Sequence, residues 1–191
     1  MTREIVGVLL AAGAGKRFGG DKLLHRLPDG APMAVAAANH LRPACARMVA
    51  VVRPGHDELA ALLLAAGCDI VVCPEAEGGM GHSLAAGVRA TAGAGGWIVA
   101  LADMPFIASA SHRAVASGLR AGASLAASQY QGRRGHPVGF SGVWFAQLAA
   151  LTGDQGARAI LERHRAELIL CPVDDPGVLR DIDRPADLVG A

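Results

Sequence analysis

The sequence predicts an α/β fold in three layers, in which helices cover both faces of a mostly parallel central sheet. Apolar, β-branched runs alternate along the chain with Ala- and Leu-rich stretches of helical period. The strand segments are continuously apolar, as expected for strands that are buried on both faces. The 191 residues are 52% hydrophobic and 18% charged, which is typical of a single globular domain over residues 1–191.

The chain up to Tyr130 follows a regular strand–helix rhythm. Pro32 favours the first turn of a helix, and Pro54 with Gly55 marks a turn between a strand and the next helix. We expect strands over residues 5–10, 48–53, 69–73, 97–102 and 124–130, and helices over residues 32–41, 56–66, 81–91 and 109–121.

Beyond Tyr130 the pattern is less regular. The run from Gly132 to Gly135, which reads GRRG, predicts the tip of a hairpin that leads into a strand over residues 136–140. We expect short helices over residues 144–151 and 156–163 and a last strand over residues 168–171.

Charge and hydropathy exclude several classes of protein. The net charge is +1, so there is no excess of one sign to bind nucleic acid or an anionic membrane. The N-terminus lacks a long apolar region, and the longest uncharged apolar run, residues 59–68, is too short to span a bilayer. We therefore expect a cytoplasmic protein without a signal peptide and without nucleic-acid or membrane partners.

The cysteines indicate a reducing environment. Cys45, Cys68, Cys73 and Cys171 include no Cys-x-x-Cys pair and have no His cluster beside them. This spacing favours free, buried thiols and disfavours a zinc site.

A glycine-rich, cationic loop follows the first strand: residues 9–22 read LLAAGAGKRFGGDK and contain four glycines and three cations. Arg17 stands where a P-loop has its hydroxyl, and Phe18 stands where a dinucleotide fingerprint has its third glycine. The second mismatch disfavours a nicotinamide oxidoreductase. Glycines still let backbone amides approach an anion, and Lys16, Arg17 and Lys22 can neutralise phosphate charge. The loop is therefore either a polyphosphate site or a solvated turn.

Asp103 follows the apolar strand in WIVALADMP, residues 97–105. A carboxylate there is costly unless it is solvated, paired or bound to a metal. It is either a turn or helix-cap aspartate or a Mg²⁺ ligand beside phosphates. Because the carboxyl ends of parallel strands share one edge of the sheet, we expect Asp103 to lie near the glycine-rich loop.

Residues 78–88, which read GGMGHSLAAGV, lie between a predicted strand and a predicted helix. Glycines followed by Ser83 at the start of a helix can place amides and a hydroxyl against a ribose or a base. The alternative is an ordinary helix entry.

The segment LLAAGAGKRFGGDKLL resembles the signature of the nucleotidyltransferases that make sugar nucleotides and molybdopterin dinucleotides. Phe18 stands where that signature usually has Met. The resemblance implies a Rossmann-like fold of the nucleotide-diphosphate-sugar transferase type. The matching residues are Leu10, Ala11, Ala12, Gly13, Arg17, Gly19 and Lys22.

Further segments, in the same order, are similar to the molybdenum cofactor cytidylyltransferase branch of that family. They read GMGHSL at 79–84, ADMP at 102–105, GHPV at 135–138, GDQGAR at 153–158 and DIDRP at 181–185. Ala102 and Arg184 replace the usual Gly and Thr. The third and fourth of these segments resemble the branch that acts on molybdopterin.

The resemblance implies a role for each matching residue. Residues 1–128 would mainly bind nucleotide, and residues 129–191 would mainly bind the acceptor. Arg17, Lys22 and Asp103 would be catalytic, His136 and Arg158 would hold the acceptor, and Asp103 and Asp183 would bind Mg²⁺. The residues expected to bind nucleotide are Leu10, Ala11, Ala12, Gly13, Gly15, Lys16, Gly79, Met80, Gly81 and Ser83.

Four assignments stay open at this stage. Arg133 and Arg134 are either further anion ligands or the solvated tip of a hairpin. Asp181 and Asp183 are either metal ligands or a cap before Pro185. His136 is either an acceptor ligand or a packed histidine, and Asp154 could cap the helix that begins near residue 156.

The implied reaction joins CMP from CTP to the phosphate of molybdopterin and releases pyrophosphate. In the family, Ala at position 12 tends to accompany CTP and Gly tends to accompany GTP, since one methyl group narrows the space for a purine. The alternatives are a guanylyltransferase on the same pterin, a cytidylyltransferase on a sugar or polyol phosphate, and a protein that binds and delivers molybdenum cofactor without turnover. A molybdoenzyme apoprotein or its chaperone is a further partner that the resemblance implies.

Overall fold

The computed structural model describes residues 4–13, 15 and 18–188, and within them the chain forms one sheet of seven strands. Every predicted strand is present, and most boundaries differ from the prediction by one residue. The strands are β1 (Ile5–Leu10), β2 (Arg47–Val52), β3 (Asp69–Val72), β4 (Gly96–Leu101), β5 (Leu125–Tyr130), β6 (Arg133–Ser141) and β7 (Leu168–Pro172).

Six α-helices connect these strands within the described ranges: α1 (Met33–Leu41), α2 (Asp57–Ala65), α3 (Met80–Arg89), α4 (Ser109–Arg120), α5 (Phe145–Ala149) and α6 (Arg158–Arg163). The longest of them, α4, has 12 residues, so none has the length and apolar character that crossing a bilayer demands.

The sheet is mostly parallel, which confirms the predicted fold class. The strand order is β3-β2-β1-β4-β6-β5-β7. Only β6, among the described strands, runs antiparallel to its neighbours β4 and β5. β1 lies between β2 and β4 and is parallel to both, so the carboxyl ends of these three strands meet at one edge.

Two hydrophobic cores lie on the two faces of the sheet and make the predicted three layers. Leu9 of β1 packs in one core with α1, α2 and α4, through residues such as Leu41 and Leu63. Val8 and the other alternate residues of β1 pack in the second core with α3, α5 and α6, where Leu84 is one contact. Because successive side chains of a strand point to opposite faces, a continuously apolar strand can serve both cores.

The hairpin between β5 and β6 differs from the prediction. Its turn is made by Gln131 and Gly132, with φ values of 47° and 78°, and Tyr130 pairs with Arg133. Two-residue turns with positive φ at both positions suit the twist of a hairpin. Gly135 lies inside β6, where a Cβ would collide with the carbonyl of Val178. A close approach of two backbones, and not a turn, therefore explains this glycine.

Candidate active site

A cleft of about 540 Å³ opens at the carboxyl ends of β1, β2 and β4, the edge at which parallel sheets bind ligands. Lys22 and Asp103 lie on its wall, so the structure brings the first loop and the acid after β4 together. Seven of the residues expected to bind nucleotide also lie on this wall: Leu10, Ala12, Gly13, Gly15, Gly79, Met80 and Ser83.

The wall that follows β1 contains the small residues Ala12, Gly13 and Gly15. Ala11 is buried, and its N–H donates to the carbonyl of Val51 at 2.9 Å, so this residue supports the loop from behind. Gly15 has a φ of +58°, a conformation that favours glycine. Lys16 and Arg17, two of the cations expected to contact phosphate, lie outside the described residues.

The ammonium group of Lys22 bridges two carboxylates. Its Nζ donates to Oδ2 of Asp103 at 2.8 Å and to Oδ1 of Asp183 at 3.4 Å. Only 10% of the Lys22 side chain is exposed, against 27% for Asp103 and 41% for Asp183. A cation buried to this extent needs anionic partners, and the same cation holds the two carboxylates near each other.

Asp183 reaches the cleft because the C-terminal segment is tied to the end of β4. The N–H of Ile182, whose side chain is fully buried, donates to the backbone carbonyl of Asp103 at 2.9 Å. Asp183 is therefore the acid that contacts Lys22, whereas the exposed Asp181 acts electrostatically on His136.

The carboxylates of Asp103 and Asp183 suit a divalent cation, because both approach a single point that Lys22 Nζ now occupies. Mg²⁺ is usually bound by one or two carboxylates, with substrate phosphates and waters as the other ligands. Over the described ranges there is no cluster of three or more His, Cys, Asp and Glu side chains arranged for a metal. A cation at this point would need further ligands from a substrate.

The start of α3 packs tightly against residues 152–154. Gly79 has a φ of +120°, and the N–H of Gly81 donates to the carbonyl of Gly153 at 2.8 Å. A Cβ on either glycine would collide with this loop. Gly81 thus holds the start of α3 against residues 152–154. Ser83, which is 5% exposed, lies in the first turn of α3 on the cleft wall.

Sequence reasoning did not assign three charged residues of the cleft: Arg53, Glu77 and Asp154. Arg53 directly follows β2, so the strand-end rule that identified Asp103 would also have found it. The sequence indicates a helix cap for Asp154. In the structure its carboxylate lies at the cleft wall, so close to Gly79 that a Cβ on Gly79 would collide with it. Glu77 lies in a short 3₁₀ turn for which the sequence carries no comparable signal.

A second pocket of about 220 Å³ adjoins the cleft, and Leu10, Met80 and Leu101 line both. His136 and Arg158, the residues expected to bind the acceptor, lie on its wall. Arg134 also lines this pocket, whereas Arg133 is the exposed first residue of β6.

The two side chains expected to bind the acceptor differ in their environment. Nδ1 of His136 is buried and has no hydrogen-bond partner among the described residues. Burial lowers the pKa of His136, and the carboxylate of Asp103 partly opposes that shift, so the ring is neutral near pH 7. Arg158 is exposed, and its Nε donates to Oε1 of Glu162 one turn later at 2.6 Å. A ligand phosphate would therefore compete with Glu162 for this guanidinium.

A family model described as the MobA-like NTP transferase domain matches residues 7–168 of this chain. Two relatives are each 32% identical to it. Purine catabolism protein PucB of Bacillus subtilis aligns over 194 residues, which cover 96% of this chain and 93% of the relative. Nicotine blue oxidoreductase of Paenarthrobacter nicotinovorans aligns over 188 residues, which cover 94% of this chain and 92% of the relative.

Solved structures share the whole architecture. Rv0371c from Mycobacterium tuberculosis H37Rv has a TM-score of 0.84 and 27% identity, over 98% of this chain and 96% of that chain. A structure of Rv0371c in complex with manganese has a TM-score of 0.81 and 26% identity, over 100% of both chains. The similarity therefore extends over the edge of the sheet that carries the cleft and over the C-terminal segment alike.

Proposed function

The chain belongs to the family of MobA-like NTP transferase domains and is a nucleotidyltransferase, and from this premise we propose that it transfers CMP from CTP to the phosphate of molybdopterin. The observation that carries the proposal is the Lys22 ammonium between Asp103 and Asp183, on the wall of the cleft that the glycine-rich loop also lines. This cluster offers both a positive charge and hard oxygen ligands to a polyphosphate.

The reaction needs no nucleophile from the protein. An oxygen of the acceptor phosphate forms a bond to the α-phosphorus of CTP, and the bond from that phosphorus to the bridging oxygen breaks, so pyrophosphate leaves with the electron pair. Both reactants are anions, and the protein must hold them together in line. Catalysis then consists of positioning and charge neutralisation.

Lys22 is assigned to the α-phosphate, where negative charge increases in the transition state. Its ammonium is already held by two carboxylates, so it can exchange one carboxylate for a phosphate oxygen and keep an anionic partner throughout. Asp103 and Asp183 are assigned to a divalent cation, which when bound neutralises phosphate oxygens. The manganese complex of Rv0371c supports the use of a divalent cation, and we propose Mg²⁺.

The nucleotide is assigned to the larger cleft. The amides around Ala12, Gly13 and Gly15, together with Lys16 and Arg17, would hold the β- and γ-phosphates. The turn at Gly79, Met80 and Gly81, with Ser83, would hold the ribose and base. Leu10 lines the same cleft, and Ala11 supports the glycine-rich loop. The small side chain of Ala12 and the resemblance described above favour CTP over GTP.

The acceptor is assigned to the second pocket, because this pocket adjoins the cleft and is lined mostly by apolar side chains, which suit a heterocycle. The neutral His136 and the guanidinium of Arg158 are its polar ligands in this proposal, and Arg134 is a third. Residues 1–128 would thus serve mainly the nucleotide and residues 129–191 mainly the acceptor, with Met80 shared by both sites.

We propose that the protein is cytoplasmic, where its four free cysteines would stay reduced. Its substrates are small molecules, and we propose no nucleic-acid or membrane partner. A molybdoenzyme apoprotein or its chaperone would receive the product.

A second candidate function comes from the relative that is named an oxidoreductase. A nicotinamide-dependent oxidoreductase would place a dinucleotide in the same cleft. Phe18, which occupies the position of the third glycine of the dinucleotide fingerprint, argues against it.

The test is an assay of the purified chain with Mg²⁺, molybdopterin and each of CTP, GTP, UTP and ATP, in which released pyrophosphate and the mass of the pterin product are measured. We expect pyrophosphate release that requires both CTP and the pterin. Preference for GTP would show that the protein is a guanylyltransferase. Turnover with a sugar or polyol phosphate in place of the pterin would show that the acceptor is not molybdopterin. Tight pterin binding without nucleotide consumption would favour a delivery protein, and oxidation of a reduced nicotinamide without pyrophosphate release would favour the oxidoreductase.

A further inference from the structure

Arg53 presents an open pair of hydrogen-bond donors to the nucleotide cleft. It directly follows β2 and lies on the cleft wall. Its Nε donates to Nε2 of His56 at 2.6 Å. Neither Nη1 nor Nη2 makes a hydrogen bond to any of the residues that the structure describes. The guanidinium is therefore held at Nε, and its Nη1 and Nη2 donors can serve a ligand.

His56 positions this guanidinium. It lies at the N-cap of α2, after a turn in which Gly55 has a φ of +78°. Only 12% of its side chain is exposed, and its Nδ1 is buried without a hydrogen-bond partner among the described residues. Nε2 of His56 therefore serves as the acceptor that fixes the Nε–H of Arg53. Oδ2 of Asp21, the residue before Lys22, lies 3.8 Å from the same nitrogen. The Arg53–His56 pair is therefore close to the segment that carries Lys22.

The sheet places Arg53 on the side of the cleft away from Asp103. Leu10 of β1 pairs with Val51 of β2 on one side and with Leu101 of β4 on the other. Neighbouring strands are about 4.8 Å apart, so β2 and β4 are separated by roughly 10 Å. A nucleoside triphosphate whose phosphates lie over the glycine-rich loop, Lys22 and Asp103 can therefore extend its base toward Arg53.

We propose that Arg53, held by His56, contacts the edge of the nucleobase and selects bases that present two adjacent hydrogen-bond acceptors. Cytosine does so through O2 and N3, and guanine does so through O6 and N7. Uracil has a donor, N3–H, between its two carbonyls, and adenine has a donor, the N6 amino group, between its acceptors N1 and N7. A fork of two donors cannot pair with both groups in these bases. This inference rests on the proposed nucleotidyl transfer and deepens it, because it names the residue that distinguishes cytosine and guanine from uracil and adenine.

The test measures binding of CTP, GTP, UTP, ATP and inorganic triphosphate, each with Mg²⁺, to the wild-type chain and to Arg53→Gln and Arg53→Lys. The lysine variant keeps the charge but loses the fork. We expect the wild type to bind CTP or GTP more tightly than UTP and ATP. Both variants should lose roughly 5- to 100-fold in affinity for the preferred base, because a good bidentate contact is worth about that much. Their affinity for inorganic triphosphate should change less than twofold.

Arg47→Gln is the matched control, because Arg47 lies at the opposite end of β2 and pairs on the surface with Asp69 at 2.6 Å. It should bind all ligands as the wild type does. His56→Leu should weaken base preference without changing triphosphate affinity, and His56→Gln, which keeps an acceptor for the Arg53 proton, should restore most of it. A purely structural role of His56 would lower affinity for every ligand in both variants.

Two outcomes would overturn the assignment of Arg53: an unchanged base ranking in both Arg53 variants, or an equal loss for all nucleotides and for inorganic triphosphate. The second outcome would make Arg53 a phosphate ligand. Failure of the wild type to bind any nucleoside triphosphate would instead overturn the proposed function, so the two failures are distinguishable.

Discussion

The Nζ atom of Lys22 lies 2.8 Å from Oδ2 of Asp103, although 81 positions separate the two residues. The contact exists because β1 and β4 are adjacent parallel strands, and each residue follows the carboxyl end of one of them. Asp183, 161 positions from Lys22, joins the same ammonium group. Three distant segments thus build one charged centre, and its properties can be tested residue by residue.

Replacement of Lys22 by Met should lower turnover by roughly 10²–10³-fold, by analogy with the loss of one donor to a transition state. The methionine fills similar space but cannot neutralise charge on the α-phosphate. The measurement is pyrophosphate release at saturating CTP and pterin. Arg47→Met, which removes an exposed cation from the far end of β2, is the control and should turn over normally. Near-normal turnover of the Lys22 variant would remove this residue from the catalytic step.

Replacement of Asp103 by Asn should reduce the stabilisation that a divalent cation and CTP confer together. Ligands that bind only the folded protein raise its melting temperature by mass action, and the amide removes one ionised oxygen ligand. The measurement is the difference in Tm with CTP plus Mn²⁺ or Mg²⁺ and with CTP alone. Asp69→Asn, a change to an exposed carboxylate on β3, is the matched control. An equal cation-dependent gain in the Asp103 variant would place the cation elsewhere.

Replacement of Gly81 by Ala should lower the free energy of unfolding by about 1–3 kcal/mol, the usual cost of overpacking. A Cβ at this position would lie 2.5 Å from the carbonyl oxygen of Thr152, so the start of α3 and residues 152–153 must separate. Urea unfolding and the KM for CTP are the measurements, and KM should rise because the turn lines the cleft. Gly93→Ala, at a glycine with open space around its Cβ position, should change neither quantity. If the two variants behaved alike, tight packing at Gly81 would not matter for the site.

The sequence predicts the sheet well because buried parallel strands are continuous apolar runs, and β1 begins and ends at the expected residues. The approach of Asp103 to the loop that carries Lys22 was also expected, because the carboxyl ends of parallel strands share one edge of the sheet. The position of Asp183 does not, because it depends on the hydrogen bond from Ile182 to the Asp103 carbonyl, which no periodicity reveals.

Glycines limited the prediction in a different way. Gly132 and Gly135 carry the same turn signal in the sequence, but only Gly132 has the positive φ of a turn. Gly135 is required by the close approach of residue 178, and such tertiary contacts between backbones leave no local pattern. Arg53 is a different case, since the strand-end rule applied to β2 would have placed it in the cleft.

His112 on α4 provides a prediction about stability against pH. The residue is 2% exposed, and its Nδ1 lies 3.2 Å from the carbonyl oxygen of Ala108. Burial lowers the pKa of His112 to about 4, while the Ala108 carbonyl opposes the shift and the nearby His40 adds to it. The folded protein therefore keeps this ring neutral over a pH range in which the unfolded chain would protonate it.

Stability should fall as pH decreases from about 6.5 to about 4, because over that window the unfolded chain binds the His112 proton and the folded chain does not. The loss from this group is at most about 3 kcal/mol, and it is absent above the unfolded pKa. His112→Asn keeps a donor near the Ala108 carbonyl but does not titrate, so its free energy of unfolding should decrease less between pH 7 and pH 4. Urea unfolding of both chains at several pH values measures the difference, and the slope that remains in the variant belongs to other groups, including His136. Parallel profiles for the two chains would show that the pKa of His112 is the same in the folded and the unfolded chain, which would contradict the prediction.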